Sequence, residues 1–295
     1  MTKLQKVYVK QDEACVSGAV DTIELPKINP ISAIILHWHF ETGAGESAAL
    51  ANEAVIEVIK NGSEVLASLQ YGQCVGIDQL FHPAEYKIAD LGESATGDYY
   101  CFIPFGRFIG DTEYFLDPRT FAGLDLKITQ PTHTASVAAN YDVILVRFLE
   151  PYPTSKGHFR ITTKREYTSA AATEYIELDR AYPYGAIMIS ELDGSSTDIL
   201  SVIDSVKVNV DAGAWYPIDE KAPELFAQES IKLGYTLGNA LETPRANTNM
   251  LICNWMKPWT GEAQLLQAPK FGDLKLEVTG LAAGTIRVTG VQLAK

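Results

Sequence analysis

The chain contains a second version of itself. Residues 22–36, TIELPKINPISAIIL, return at 175–189 as YIELDRAYPYGAIMI, so that Ile23, Glu24, Leu25, Pro30, Ala33 and Ile34 recur as Ile176, Glu177, Leu178, Pro183, Ala186 and Ile187. The shift is constant, 176 − 23 = 153, and needs no gap. A second match joins FAGLDLKIT (121–129) to FGDLKLEVT (271–279), at 271 − 121 = 150. A tandem duplication of this length implies two units of domain size that share one fold. The expected division is 1–152 and 153–295. The linker EPYPTSKG (150–157) is short and carries prolines, which favours two units held side by side.

The second match also shows what kind of fold is repeated. Leu124, Leu126 and Ile128 alternate with Asp125 and Lys127, and Leu274, Leu276 and Val278 alternate with Lys275 and Glu277. A period of two is a strand with one face in a core. The apolar positions are kept between copies while the polar ones invert charge. Strand-like runs rich in β-branched and aromatic residues fill the rest: 33–40, 54–59, 64–71, 99–105, 141–149 and 158–167, then 186–192, 205–210, 250–256, 274–280 and 285–293. Asn61-Gly62 between two such runs predicts a tight hairpin turn, and this reading outweighs the glycosylation sequon Asn61-Gly62-Ser63. In the second copy VKVNVDAGAWYPI, with Gly213, takes the same part. Helices are predicted at 77–91, broken by Pro83, and at 222–237. The fold class is all-β: two tandem eight-stranded jelly-roll sandwiches with short helices in the connecting loops.

Composition narrows the function. Lys and Arg number 24 against 37 Asp and Glu, a net charge of −13 with no basic cluster. Packaging or reading nucleic acid requires basic surface to replace phosphate counterions, so direct nucleic-acid binding is not expected. No apolar run is long enough for a membrane span, and MTKLQKVYVKQDEACV lacks the apolar centre of a signal peptide, which predicts synthesis and folding in a cytoplasm. Cys15, Cys74, Cys101 and Cys253 are scattered without a CxxC pair and read as small buried thiols.

The sharpest chemical candidate is His37-Trp38-His39, because an HxH on a strand points both imidazoles to one face and can begin a metal site. It is similar to the first motif of the cupins. A cupin glutamate follows four or five positions later, whereas Glu41 and Glu46 stand two and seven after His39, and the second copy has Ser190 and Leu192 at the matching positions. No metal, cofactor or catalytic residue is expected. Gly106-Arg107-Phe108-Ile109-Gly110 is a glycine-flanked loop without a phosphate-binding pattern. Trp38, Trp215, Trp255 and Trp259 suit either a sugar site or cores and subunit contacts. Aromatic loops are candidates for contacts between copies, namely Phe105, Phe108 and Phe115 in the first half and Trp255 and Trp259 in the second.

The duplicated IELxxxxPxxAI strands, the hairpin AVIEVIKNGSEVL, and the paired segments LDPRTFAGLDLKIT and LLQAPKFGDLKLEVT resemble the double jelly-roll major capsid proteins of tailless icosahedral viruses with an internal membrane, particularly the compact bacteriophage members. The resemblance spans nearly the whole chain and implies a coat protein made in the host cytoplasm and found in the virion. It also implies homotrimers with a pseudo-hexagonal outline, contacts with neighbouring capsomers, and further contacts with minor capsid proteins and the inner membrane. A tandem carbohydrate-binding or bicupin-like protein is the alternative for the same architecture.

Overall fold

The structure, a computed structural model, describes residues 3–40, 54–81, 97–132, 139–192, 199–232, 250–256 and 265–295. Its strands in the first half are β1 (Leu4–Ala14), β2 (Val20–Glu24), β3 (Ile31–Phe40), β4 (Val55–Lys60), β5 (Glu64–Gln70), β6 (Gly97–Pro104), β7 (Leu124–Thr129) and β8 (Ala139–Phe148). The second half holds β9 (His158–Ser169), β10 (Thr173–Glu177), β11 (Tyr184–Glu191), β12 (Ile203–Val210), β13 (Trp215–Lys221), β14 (Met250–Asn254), β15 (Leu274–Gly280) and β16 (Gly284–Ala294). Helices are α1 (Tyr71–Phe81), a single turn α2 (Ile199–Val202), and α3 (Ala222–Lys232).

The chain divides into Met1–Thr162 with Lys295, and Thr163–Ala294. In the first unit one sheet runs β1-β8-β3-β6 and the other β2-β7-β4-β5. In the second the orders are β9-β16-β11-β14 and β10-β15-β12-β13, the same pattern with each strand replaced by its counterpart. First beside eighth, eighth beside third and third beside sixth is the strand order of a jelly roll. The residues that revealed the duplication hold equivalent places in it. Ile23 pairs with Leu126 and Ile176 pairs with Leu276. The turns Pro118–Thr120 and Ala268–Lys270 correspond, as do the bridges Ile31 to Leu116 and Tyr184 to Leu266.

Alternation puts one face of each strand into a core. Leu124, Leu126 and Ile128 are buried along β7 while their neighbours are half-buried, and β15 repeats this. Each fully buried Leu, Ile or Val contributes about 1.5–3 kcal/mol by leaving water. The polar faces explain the charge inversion. Glu57 stands opposite Lys127, with a 2.8 Å ion pair, and the counterpart pair is Lys207 opposite Glu277. Both partners were exchanged, so opposite charges still face each other across the strands.

The hairpin tips are also duplicated in detail. Asn61, at φ 53°, accepts hydrogen bonds on Oδ1 from the backbone N–H groups of Ala122 (2.7 Å) and Gly123 (3.3 Å). Asp211, at φ 51°, does the same for Gly272 (2.6 Å) and Asp273 (3.0 Å). Lys27 donates to the carbonyls of Phe121 and Ala122, and Arg180 to those of Phe271 and Gly272. Asn61 is thus a structural residue with its side chain engaged.

Two expectations are corrected here. Helix α1 starts at Tyr71, six residues before the predicted 77, and residues 82–91 of the predicted span lie outside the described residues. Gln73 Oε1 accepts from the N–H of Gln70 at 3.1 Å, closing the first turn as a capping-box residue does, and Tyr71 N–H bonds the Ala54 carbonyl at 3.0 Å. Helix α3 starts at Ala222, as predicted, and residues 233–237 of that prediction lie outside the described residues. The second correction concerns the cysteines. Cys74 on α1 and Cys101 on β6 form a disulfide, while Cys15 and Cys253 are buried thiols. Burial pushes the Cys15 thiol up to about 12, with Asp21 adding to the effect.

His158 opens β9 with Nε2 buried and without a hydrogen bond among the described residues. Burial, then Lys60 and Arg160, lower its pKa to about 4, against a partial opposing effect of Glu64. The folded state therefore stays neutral while the unfolded chain protonates near 6.5. Stability falls as pH drops from 6.5 towards 4, by at most about 3 kcal/mol from this group. Urea unfolding of wild type and His158→Gln across this range should give curves that converge as pH falls. A constant gap between them would show that the folded protein accepts the proton at no cost.

Candidate functional site

Strand β3 explains its own histidines. Ile34, Leu36 and Trp38 point inward and are buried, which turns His37 and His39 to the opposite, half-buried face. Trp38 donates Nε1–H to Gln130 Oε1 at 3.1 Å and meets Tyr71 edge-on. Opposite His37 in the register are Tyr100 and Asp142. The imidazole stacks on Tyr100 at 4.3 Å with ring planes 4° apart, and Nδ1 lies 3.2 Å from Asp142 Oδ2. Asp142 Oδ1 accepts from the Asp12 N–H at 2.8 Å. These contacts tie β1, β8, β3 and β6 together across the face of one sheet. Among the described residues there is no group of three or more His, Cys, Asp and Glu side chains that could hold a metal ion.

The Gly106–Gly110 loop is built around one carboxylate. Asp111 is 1% exposed and accepts from the N–H groups of Arg107 (3.0 Å), Glu113 (3.0 Å) and Tyr114 (3.3 Å). The Arg107 guanidinium adds Nε at 2.7 Å and Nη2 at 3.0 Å, reaches Glu113 at 2.7 Å, and lies 4.8 Å over the Tyr114 ring. Burial opposes ionisation of Asp111, but Arg107 and the backbone donors outweigh it and hold the carboxyl below its usual range. Only glycine fits at 106, where a Cβ would stand 2.3 Å from the Tyr114 carbonyl oxygen. This cluster fastens the loop to itself.

The predicted contact aromatics separate. Phe105 and Phe115 are fully buried, Phe115 against Phe148 at 4.9 Å, so they serve the interior and not a surface. Their place in an irregular loop hid this, because no period indicates which way such side chains point. Phe108 is 46% exposed beside Ile109. Trp255 is partly buried against the second core, and Trp259 lies outside the described residues.

Further exposed apolar groups lie on edge strands, β13 and β1 among them, and of these sequence reasoning singled out Trp215 alone. Trp215 (50% exposed) and Tyr216 (42%) begin β13, with Phe271 in edge contact with Trp215 and Lys207 Nζ 3.9 Å from the Tyr216 ring centre. Leu4 (40%) and Tyr8 (52%) belong to β1. The available signal was comparison between the copies: Trp215 and Tyr216 stand where the first copy has Glu64 and Val65. Large exposed aromatics are the residues that anchor protein contacts.

Among the described residues no helix is long and apolar enough to cross a membrane. No sequence family and no curated protein matches the chain. Solved structures do. The major capsid protein P2 of Bacteriophage PM2 aligns at 13% identity over 99% of this chain and 98% of that one, with a TM-score of 0.65. The STIV major capsid protein aligns at 11% over 99% and 97%, TM-score 0.68, and the PBCV-1 virus capsid chain at 9% over 99% and 94%, TM-score 0.68. With two jelly rolls of one topology aligned end to end on these chains, the protein has the double jelly-roll fold of viral major capsid proteins.

Proposed function

We propose that this chain is a major capsid protein, a non-enzymatic component of the virion that builds an icosahedral shell from copies of itself. The observation that carries the reading is the repetition of one jelly roll within a chain that matches known capsid proteins over nearly their whole length. A duplicated sandwich gives each chain two quasi-equivalent corners. Three chains then supply six, and a closed trimer can tile a hexagonal lattice. Minor capsid proteins and an inner viral membrane are the further partners, while the net charge of −13 argues against direct contact with the genome.

Purified chain should sediment as a trimer and, under suitable ionic conditions, form particles visible by negative-stain microscopy. A chain that stays monomeric over a wide concentration range, forms no particles, and holds a sugar stoichiometrically would replace this reading with the tandem binding protein.

A further inference from the structure

The edge of β5 is covered within the first unit. The opening residues of β9 lie along it: Ala67 bridges Ile161 in parallel, and Arg160 donates to the Val65 carbonyl at 3.0 Å while its guanidinium stands 3.7 Å from Glu64. Phe159 and Ile161 are buried there. Strand β13 is the second unit's counterpart of β5, since Val58 pairs with Ala67 as Val208 pairs with Ile218. Yet β13 ends its sheet, with no strand beyond it among the described residues, and it begins with the exposed Trp215 and Tyr216.

The strand laid on β5 is the first strand of a jelly roll. The chain has one other, β1. It too is an edge strand, paired through Leu4 to Phe148 on one side only. Its first half is exposed although Leu4 and Tyr8 are apolar, where β9 buries Phe159 and Ile161. From this we infer that the β13 edge receives β1 from a second copy of this chain, in parallel, as β5 receives β9. The inference rests on the capsid reading and names the contact it needs.

Charge selects the same pairing. Lys6 and Lys10 lie on β1 with no acidic residue before Asp12, and in a parallel pairing Lys10 comes towards Asp219 and Glu220, which β13 carries ahead of its own Lys221. Pairing β1 with another β1 would set lysines against lysines, which disfavours that alternative. A lysine arriving at Trp215 would also find a cation–π partner. Pro217 offers no N–H, but it stands at Leu66's place, next to the bridging position taken by Ile218. Each copy thus has one strand to give and one edge to receive it. Such head-to-tail contacts form closed rings when the rotation closes.

The test uses two full-length variants, Leu4→Asp with Tyr8→Asp and Trp215→Ala with Tyr216→Ala. All four side chains are exposed, so both should keep the wild-type circular dichroism spectrum; Lys6→Glu replaces the first if it does not fold. Each should weaken self-association about thirty-fold or more and sediment as a monomer where the wild type assembles. Mixed together, the two should form a heterodimer and stop, because one intact β13 meets one intact β1. Variants that assemble like wild type, or monomers that do not combine, overturn the edge contact and leave the capsid reading standing. A wild-type chain that never assembles removes the capsid reading itself.

Discussion

Replacing Asp111 with alanine is expected to destabilise the first unit by about 3–5 kcal/mol, the cost of breaking a buried ion pair from one side. The substitution removes the acceptor for three backbone N–H groups and leaves Arg107, 14% exposed, without its main partner. Solvent screens this pair little. It screens Glu113 far more, at 40% exposure, so Glu113 alone replaces little of the loss. Asp111→Asn should cost less, because the amide keeps one acceptor oxygen. The carboxyl is held below its ordinary range, so its contribution is present above the unfolded carboxylate pKa and is lost only as pH falls through the lowered folded value. Thermal unfolding at neutral pH should show a midpoint lower by about 10 °C for a unit of this size. An alanine variant that melts with the wild type would mean the cluster orders the loop without adding net stability.

Removing the Cys74–Cys101 disulfide should have the next largest effect. The bond spans 27 residues, and closing a loop of that length lowers the entropy of the unfolded chain enough to stabilise by about 3–4 kcal/mol. The second copy shows what the junction does without it. Leu225 and Leu251 hold the equivalent positions on α3 and β14, since 225 − 74 = 151 and 251 − 101 = 150, and both lie in the second core. The same helix is fastened to the same sheet covalently in one copy and by apolar packing in the other. A Cys74→Ser, Cys101→Ser chain should unfold at clearly lower urea than the oxidised protein, and the reduced wild type should behave alike. Equal midpoints for oxidised and reduced protein would show that packing alone fixes α1.

Most of the fold was legible because duplication and alternation are local signals. The matched offsets identified equivalent strands, and period two assigned inward and outward faces correctly around Trp38 and along β7 and β15. Features set by distant partners were not legible. Strand β1 was missed because nearly all of it is exposed and so shows no buried stripe. The start of α1 depends on Gln73 and on packing, against two glycines, Gly72 and Gly76, that weaken any local helix signal. The disulfide joins cysteines whose proximity arises only when α1 meets β6. The candidate contact residues were only half legible. Composition suggested aromatics at surfaces, but the edges that carry Leu4, Tyr8, Trp215 and Tyr216 emerged only from the strand order.

Strand β1 is made well before its partner and paired late. The first pair of its ladder with β8 to become available is Ala14 with Asn140, so 140 − 14 = 126 further residues must be synthesised before any pair can form. During that interval it is an unpaired strand among other newly made copies, the condition in which nascent chains stick to one another. Lys6 and Lys10 limit its uncharged stretch to Val7, Tyr8 and Val9, too short to seed an aggregate. Charge therefore guards the strand until its partner has been translated, and the order of synthesis helps to explain why an exposed apolar edge is flanked by lysines.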